Sequence, residues 1–295
     1  MKLAKAVRHC RIAAPEHFRL SDHDPSGRFG LSTDMDDVKP MLAASIERLE
    51  ELQQRLYADG QWALLVVLQG MDAAGKDGVI KHVMSGTNPQ GCDVHAFKSP
   101  SAEELQHDFL WRADKVLPER GRIGIFNRSY YEEVLVVRVH PELLREQRLP
   151  PGLTGKNIWK HRFKDIRAFE RHLSRNGTRL LKFHLRISKE EQRRRFLARL
   201  DTPAKRWKFS MHDVAERQRW DDYMAAYEDM IRATSTDYAP WYVIPADHKH
   251  VAWLLVATAI TEALAGLRLE YPKIVGKALK ELKIAERALR AKKSR

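Results

Sequence analysis

The stretch from Trp62 to Val83 reads Trp-Ala-Leu-Leu-Val-Val-Leu-Gln-Gly-Met-Asp-Ala-Ala-Gly-Lys-Asp-Gly-Val-Ile-Lys-His-Val. Its first seven residues are apolar and rich in valine and leucine, which is typical of a strand buried on both faces. A turn bounded by Gly70 and Gly75 follows, and a helical pattern begins near Val79. This order of buried strand, glycine-bounded turn and helix is the context of a phosphate-binding loop. The stretch therefore predicts an α/β fold.

The loop carries the residues that such a site needs. Backbone N–H groups of the turn and of the helix start converge on one point and favour an anion there. Lys76 follows the second glycine, where its ammonium group can reach a bridging phosphate. Asp77 replaces the usual Ser or Thr, so either Asp77 itself or another group holds the metal, and Asp72 is the expected ligand. A turn that binds nothing is the alternative. The residues expected to bind phosphate or nucleotide here are Gly70, Ala73, Ala74, Gly75, Asp77, Gly78 and Lys81.

Further strands and helices are predicted around this unit. A helix is expected over 41–57, where apolar residues recur at three- and four-residue steps, and Asp59-Gly60 ends it. Short apolar runs at 122–126, 180–187 and 241–244 predict more strands. Short strands that alternate with helices predict a parallel sheet covered on both sides.

A second polar cluster, Asn127-Arg-Ser-Tyr-Tyr-Glu-Glu133, follows the run at 122–126. Ligands bind at the carboxyl ends of parallel strands, so this cluster is expected to approach the loop. Arg128 can bridge phosphates through two N–H groups. Asn127 is neutral where an acidic residue commonly serves the metal, which leaves that role to Asp72 and Glu132. The alternative is that Arg128 merely pairs with Glu132 across one helical turn.

The net charge of +13 is concentrated in two segments. Residues 151–220 hold 20 lysines and arginines against 7 acidic residues, and residues 273–295 hold 9 against 2. The rest of the chain holds 23 against 30. This distribution predicts a polyanionic partner: a nucleic acid, an acidic membrane or a phosphate-rich small molecule.

A basic loop lies between two predicted helices of the first segment. The charged helix begins at Ser188, where Glu191 completes a capping box, and a second helix begins near His212. A helix, a basic loop and a helix beside a phosphate-binding loop predict a lid. The charged helix alone is better explained as a solvated, salt-bridged face. The lid residues expected to meet a polyanion are Lys205, Arg206 and Lys208, with Trp207 as an anchor or stacking group.

Several other classes are disfavoured. Two cysteines cannot form a disulfide framework, and no histidine spacing matches a zinc site. The basic N-terminus lacks the apolar segment of a secretory signal. The apolar stretch 251–267 contains Thr258, Thr261 and Glu262, so it predicts a buried helix rather than a membrane span. Ser129 has no partners for a hydrolase triad. A cytoplasmic protein is expected.

Three regions are predicted along the chain. Residues 1–40 are an N-terminal extension, expected to be irregular because prolines and glycines interrupt it. Residues 41–272 form the phosphate-binding domain, with the lid near 188–220. Residues 273–295 form a basic C-terminal helix or tail.

Three motifs together resemble the polyphosphate kinase type 2 family: the loop from Gly70 to Gly78, the cluster from Asn127 to Glu133, and Lys205-Arg-Trp-Lys-Phe-Ser. The resemblance runs from about Phe18 to Tyr271. It implies a three-layer P-loop kinase fold, with a parallel sheet flanked by helices and a helical lid. It also implies reversible, Mg²⁺-dependent phosphoryl transfer between inorganic polyphosphate and nucleotides, with Mn²⁺ as a second possible ion.

Site roles follow from the same resemblance. Lys76 would bind phosphate, Asp72 would serve the metal or the accepting phosphate, and Arg128 belongs to the second motif. Many members carry Asp in place of Asn127 and Asn in place of Glu132. The Asn127/Glu132 pair resembles the subclass that accepts nucleoside monophosphates as well as diphosphates. The expected acceptors are ADP and AMP, with GDP as a further candidate.

The resemblance also implies a homo-oligomer, either a dimer or a tetramer, with no membrane and no specific nucleic acid as partner. Two other functions stay open at this point. One is an ATP-dependent nucleoside monophosphate kinase, which shares the fold and the loop. The other is a nucleic-acid-binding P-loop protein whose basic segments follow a phosphate backbone.

Overall fold

The computed structural model describes residues 2–291, apart from the side chains of Lys2 and Lys208. Five strands form one sheet in the order β2-β3-β1-β4-β5, and all neighbouring pairs are parallel. The predicted parallel sheet is thereby confirmed. Every residue of β1 is buried, as its composition predicts. The strands are β1 (Ala63–Gln69), β2 (Cys92–Ala96), β3 (Ile123–Asn127), β4 (Thr178–Arg186) and β5 (Trp241–Pro245).

Helices flank the sheet. α11 packs against α1, α2 and α3, whereas α7 packs against α10 and β4. The helices, in chain order, are α1 (Lys2–Cys10), α2 (Met35–Asp59), α3 (Lys76–Val83), α4 (Trp111–Asp114), α5 (Val136–Val139), α6 (Leu143–Glu146), α7 (Ile158–Arg175), α8 (Lys189–Asp201), α9 (Met211–Gln218), α10 (Trp220–Thr234), α11 (Lys249–Ala265) and α12 (Gly276–Arg290).

The expected irregularity of residues 1–40 is wrong at both ends of that segment. α1 is helical because its apolar residues share one face, on which Ala6, Val7 and Cys10 are buried. α2 begins at Met35 rather than 41, where the Asp34 carboxylate accepts a hydrogen bond from the N–H of Asp36 at 3.0 Å. The predicted end of this helix is confirmed, since Gly60 caps it in the left-handed conformation with φ 62°.

The sequence of β4 alternates like that of a strand with one solvent-exposed face, but its residues 180–185 are all buried. Lys182 and His184 occupy alternate positions in its sequence, yet both side chains are buried. The strand pairs with β1 and β5 along its two edges, and α7 and α11 pack against it. Burying these two polar groups costs folding free energy unless each has a polar partner.

The apolar stretch near 251–267 forms α11, whose side chains are buried over most of its length. Within residues 2–291, no helix is long and apolar enough to cross a membrane. By contrast, α12 has no buried residue along its whole length. The core thus ends with α11 and the segment that follows it.

Candidate active site

The turn after β1 depends on two glycines with positive φ. Gly70 has φ 155°, and a Cβ there would lie 2.8 Å from the carbonyl oxygen of Leu185. Gly75 has φ 108° and caps α3 without a side-chain hydrogen bond. The N–H groups of the first turn of α3 therefore remain directed at the loop rather than at a capping side chain. This geometry matches the loop predicted from the sequence.

Lys76 lies across the loop that it follows. Its Nζ donates to the carbonyl oxygens of Gly70 at 2.7 Å and Met71 at 3.3 Å. The side chain is buried, and this burial, reinforced by the Arg128 guanidinium, lowers its pKa from the ordinary value. A phosphate at the loop would offset the same penalty, because an anion beside an ammonium favours its charged form.

The sheet brings the second motif to the loop. β3 pairs with β1 in a register that places Asn127 opposite Leu68, and the N–H of Arg128 donates to the Leu68 carbonyl at 3.0 Å. The Asn127 amide donates to Asp77 Oδ1 at 2.9 Å, which joins the strand end to the first turn of α3. The predicted convergence of the two motifs is therefore present in the structure.

Arg128 connects both motifs through a single guanidinium. Its Nη2 lies 2.6 Å from Asp72 Oδ1, and its Nη1 lies 3.3 Å from Glu132 Oε2. Glu132, followed by Asp72, raises the pKa of Arg128 further. The simple pairing with Glu132 does form, but the second contact crosses from β3 to the loop after β1. This arrangement gathers two carboxylates and a cation at the loop mouth.

The predicted lid segment has the expected shape. α8 and α9 flank a 3-10 turn over Pro203–Lys208, in which Lys205 and Arg206 are exposed. Arg206 Nε donates to the carbonyl of Leu200, and Trp207 is 77% exposed. The side chain of Lys208 lies outside the described part of the chain. These residues form an accessible basic surface, and their function as a lid stays a prediction.

Lys81 is placed differently from the other predicted phosphate contacts. It lies five residues beyond Lys76 on α3, about 7.5 Å along the helix axis at 1.5 Å per residue. Its side chain is exposed near the C-terminal end of this helix, whereas the loop meets the N-terminal end. A direct contact with a loop-bound phosphate is therefore not what this position favours.

The sequence did not predict that Gln192 and Arg195 of α8 donate hydrogen bonds to the loop. We call these two side chains the α8 brace. Arg195 Nη1 donates to the carbonyls of Ala73 and Ala74 at 2.9 and 3.0 Å, and its Nη2 donates to that of Ala246 at 2.5 Å. Gln192 Nε2 donates to the carbonyl of Asp72 at 3.0 Å. Gln192 and Arg195 stand three residues apart on one helix face, and this spacing distinguishes Arg195 from the exposed Arg193 and Arg194.

Three more residues near the loop were not predicted. Tyr223 and Tyr227 of α10 line the cleft that also contains Asp72, Arg128 and Glu132. Asp213 of α9 pairs with Arg199 at 3.2 Å, and burial followed by the charge of Asp72 raises its pKa. These contacts link parts of the chain that are distant in sequence, so no local motif predicts them.

A buried network supports the turn that carries Glu132. Tyr130 and Tyr131 both donate to Glu170 Oε1, at 2.9 and 2.7 Å. Lys182 Nζ donates to Glu170 Oε2 at 2.7 Å and to the Thr234 carbonyl at 2.8 Å. This network ties the 3-10 turn over Tyr130–Val134 to α7, β4 and α10.

A phosphate-binding loop whose mouth faces an arginine and two carboxylates, on a five-stranded parallel sheet, defines a P-loop phosphotransferase. Residues 32–271 match the family model described as Polyphosphate kinase 2. The chain therefore belongs to the polyphosphate kinase 2 family and is a kinase. The matched range contains all three motifs on which the sequence resemblance rests.

Individual relatives agree with this assignment. The chain is 57% identical over 243 residues to an ADP-polyphosphate phosphotransferase of Rhodopseudomonas palustris, covering 82% of this chain and 84% of the relative. It is 46% identical over 263 residues to an AMP/ADP-polyphosphate phosphotransferase of Meiothermus ruber, covering 89% and 94%. The crystal structure of Polyphosphate Kinase 2 from Arthrobacter aurescens TC1 superposes with a TM-score of 0.86 at 40% identity, covering 97% of each chain. The expected P-loop kinase fold is confirmed.

Proposed function

We propose that this chain transfers phosphoryl groups reversibly between inorganic polyphosphate and adenine nucleotides, converting ADP to ATP and AMP to ADP. The observation that carries the proposal is the bridge from Arg128 to Asp72 and Glu132, at the mouth of the loop that holds Lys76. The similar proteins named above act, by their names, on polyphosphate with ADP or with AMP and ADP. GDP is a further acceptor candidate.

Phosphoryl transfer to a nucleotide requires aligned substrates and positive charge more than it requires a general base. A terminal phosphate oxygen of the nucleotide is already anionic and attacks the end phosphorus of polyphosphate in line. The bond from that phosphorus to its bridging oxygen breaks, and polyphosphate leaves one phosphate shorter. In this proposal, Lys76, the N–H groups at the start of α3 and Arg128 stabilise the charge that develops on the transferred group, and their common position at the loop supports it. Such preorganised donors stabilise the transition state without reorganising during the reaction.

The loop mouth suits a Mg²⁺ ion carried in with phosphate. Asp72 and Glu132 place two carboxylates against one guanidinium, and Mg²⁺ prefers one or two carboxylates together with substrate phosphates and water. The described residues contain no group of three or more side chains that could hold a metal ion without help from substrate. When bound, the ion would neutralise charge on the transferred phosphate; Asp72 is the proposed ligand, assisted by Glu132, and Mn²⁺ has the same oxygen preference.

Polyphosphate is proposed to approach over the exposed lysines and arginines of residues 151–220. Lys205 and Arg206 are exposed in the turn between α8 and α9, and α8 itself is bonded to the loop through Arg195. An enzyme that uses only ATP as donor has little need of so large a positive surface, which favours polyphosphate as donor.

The test uses purified protein with Mg²⁺ and long-chain polyphosphate, and with AMP, ADP, GMP or GDP in separate reactions followed by nucleotide chromatography. ATP from ADP, and ADP from AMP, are the expected products. Transfer that occurs only with ATP as donor would replace the proposal with a nucleoside monophosphate kinase. Steep, salt-dependent binding to nucleic acid without any transfer would favour the nucleic-acid-binding alternative.

The site assignment is tested by Lys76→Ala, with Lys39→Ala, an exposed lysine of α2, as its matched control. We expect Lys76→Ala to abolish transfer, because it removes the loop's ammonium, while thermal unfolding stays within a few degrees of the unmodified chain. Lys39→Ala should retain full activity. Near-normal turnover by Lys76→Ala would refute the assignment. The expected dimer or tetramer is checked on the same samples by sedimentation.

A further inference from the structure

β1 ends in a buried polar residue directly before the phosphate-binding loop. Gln69 is the last residue of this strand, and Gly70 of the loop follows it. The first six residues of β1 are apolar, and all seven residues are buried. A carboxamide in such surroundings costs folding free energy unless its polar atoms are hydrogen-bonded. The bonds that Gln69 makes therefore indicate why an amide stands at this position.

Only the nitrogen of the Gln69 amide is bonded within the described part of the chain. Its Nε2 donates to Ser129 Oγ at 3.1 Å, and both residues are fully buried. Its Oε1 is buried as well and has no hydrogen-bond partner among residues 2–291. An apolar side chain of similar length would avoid the cost of this oxygen. Stability alone thus does not account for the amide, and what the amide adds is its bond to Ser129.

Ser129 caps the 3-10 turn that carries Glu132. Its Oγ accepts a hydrogen bond from the N–H of Tyr131 at 3.1 Å, and its carbonyl accepts one from the N–H of Glu132 at 3.1 Å. A side chain that caps a turn in this way satisfies an N–H group at its start. Because the same Oγ accepts from the Gln69 amide, the start of this turn is attached to the end of β1 through two side chains.

Arg128 lies between two attachments to β1. Its own N–H donates to the carbonyl of Leu68, and the residue after it, Ser129, accepts from the Gln69 amide. Arg128 has φ 63°, a left-handed conformation that a non-glycine residue keeps only where its surroundings hold it. Two consecutive residues of β1 thus hold the two residues that follow β3, one through the main chain and one through a side chain.

These attachments lie at the base of the charged groups of the site. The Arg128 guanidinium lies 2.6 Å from Asp72 of the loop and 3.3 Å from Glu132 of the turn. Gln69 stands three residues before Asp72, and Ser129 stands three residues before Glu132. The bond between Gln69 and Ser129 therefore joins the two segments whose carboxylates the guanidinium bridges.

We infer that Gln69 is a positioning residue, whose hydrogen bond to Ser129 holds Arg128 where its guanidinium meets the transferred phosphate. The inference rests on the proposed function, in which Arg128 contacts that phosphate, and adds the residue that places it. Because Arg128 acts on charge that develops during transfer, its displacement should lower kcat and leave substrate binding largely unchanged. A displacement of about 1 Å can lower a rate by about a hundredfold.

The first experiment measures phosphorylation of ADP from polyphosphate by Gln69→Met and by the unmodified chain. Methionine is similar in length to glutamine and has no amide, so it removes both the bond to Ser129 and the unbonded oxygen. We expect kcat to fall about tenfold or more and the KM for ADP to change by less than about threefold. The urea midpoint should stay the same or rise, because a buried unsatisfied group is lost.

Gln53→Met is the matched control for this variant. Gln53 is a buried glutamine of α2, and its Oε1 also has no hydrogen-bond partner among the described residues. The control should keep the kcat of the unmodified chain. An unchanged kcat in Gln69→Met, while the unmodified chain phosphorylates ADP, would overturn the inference. Absence of transfer by the unmodified chain would instead contradict the proposed function.

The second experiment separates positioning from a merely structural role. Ser129→Ala removes the acceptor of the same hydrogen bond, so Gln69→Met should cause no further loss of kcat in that background. A packing role for Gln69 would lower kcat by the same factor in both backgrounds, and this result would overturn the inference. Gln69→Leu replaces Gln69→Met in the comparison should the latter not fold. Loss of folding in both Gln69 variants would assign the bond to stability and would likewise overturn the inference.

Discussion

Arg128 bridges two motifs that are 56 residues apart in the chain. Its backbone lies in the left-handed region, with φ 63°, a conformation that costs a non-glycine residue about 1–3 kcal/mol. The hydrogen bond from its N–H to Leu68 and the two carboxylates on its side chain hold it there. A residue kept in a costly conformation by its surroundings, at the mouth of a phosphate-binding loop, is consistent with a direct role in the reaction.

His184 makes stability depend on pH. The ring is buried against Tyr227, neither nitrogen has a hydrogen-bond partner among residues 2–291, and burial lowers its pKa from 6.5 to about 3. Between these values the unfolded chain takes up a proton that the folded chain does not. The free energy of unfolding should therefore fall as pH drops from 6.5 towards 3, by up to about 1.4 kcal/mol per pH unit from this residue.

His184→Phe isolates this contribution. The variant removes the titrating group and the unsatisfied nitrogens, so its stability relative to the unmodified chain should increase as the pH is lowered. Urea unfolding at several pH values measures the difference. His172→Phe, at an exposed histidine of α7, is the control and should show a constant difference. Parallel pH profiles for His184→Phe and the unmodified chain would refute the assignment.

At the scale of elements, α8 has an exposed charged face and a buried face that supports the loop. The exposed Arg194 pairs with Glu191, whereas the buried Arg195 pairs with the same carboxylate and also donates to carbonyls of the loop and of the segment after β5. We expect Arg195→Met to lower the free energy of unfolding by about 2–4 kcal/mol, because several buried carbonyls lose a charged donor. Transfer should fall as well, since the loop loses its support.

Arg194→Met is the matched control, and its effect should be within about 0.5 kcal/mol. Urea unfolding and transfer assays on both variants provide the measurement. Equal losses for the two variants would mean that α8 acts through its overall charge. A large loss confined to Arg195→Met identifies the brace.

The elements that the sequence predicted best were those with a strong local pattern. The run before Gly70 and the polar cluster after β3 were found because a buried parallel strand leaves an unbroken apolar run. β2 was missed because Cys-Asp-Val-His-Ala has no such run, and as an edge strand it needs none. α1 was missed because it is short and basic, and among its residues Leu3 to Cys10 the buried positions are only Ala6, Val7 and Cys10.

The residues of the candidate site also differ in whether a local motif predicted them. Lys76 and Arg128 were predicted because each belongs to a contiguous motif. The roles of Arg195 and Tyr227 depend on contacts across more than a hundred residues, which no window of sequence displays. The buried Lys182 could not be told from a surface lysine, since its partner Glu170 lies on a different element.

That buried pair anchors an element, and it can be tested as one. Lys182 and Glu170 are both fully buried, and Glu170 also receives the hydroxyl groups of Tyr130 and Tyr131. Lys182→Met should lower the free energy of unfolding by about 3–5 kcal/mol, because the Glu170 carboxylate would stay buried without its cation. Lys182→Met combined with Glu170→Leu should recover part of this loss.

Urea unfolding of both variants supplies the measurement, with Lys280→Met on the exposed helix α12 as the control that should change little. A Lys182→Met variant as stable as the unmodified chain would show that the pair contributes nothing to folding. A double variant less stable than the single one would assign the stability to the tyrosine hydrogen bonds on Glu170.

At the scale of the whole molecule, one of the two basic segments of the chain includes a helix that has no buried residue. The last segment, residues 273–295, contains 9 lysines and arginines against 2 acidic residues, and α12 within it is exposed along its length. We expect a chain that ends at Pro272 to unfold at the same urea concentration as the full chain, because no buried contact of α12 is lost. Its nucleotide KM should also be unchanged.

Its polyphosphate kinetics should differ in one respect. Removing so many cations weakens the long-range attraction of a polyanion, which salt screens within about 10 Å at 0.1 M. The KM for long-chain polyphosphate should therefore be higher at low salt and rise less steeply with added KCl than in the full chain. An unchanged salt dependence would show that the segment does not meet polyphosphate. A lower urea midpoint would show that α12 stabilises the fold, so the two measurements separate an electrostatic tail from a structural helix.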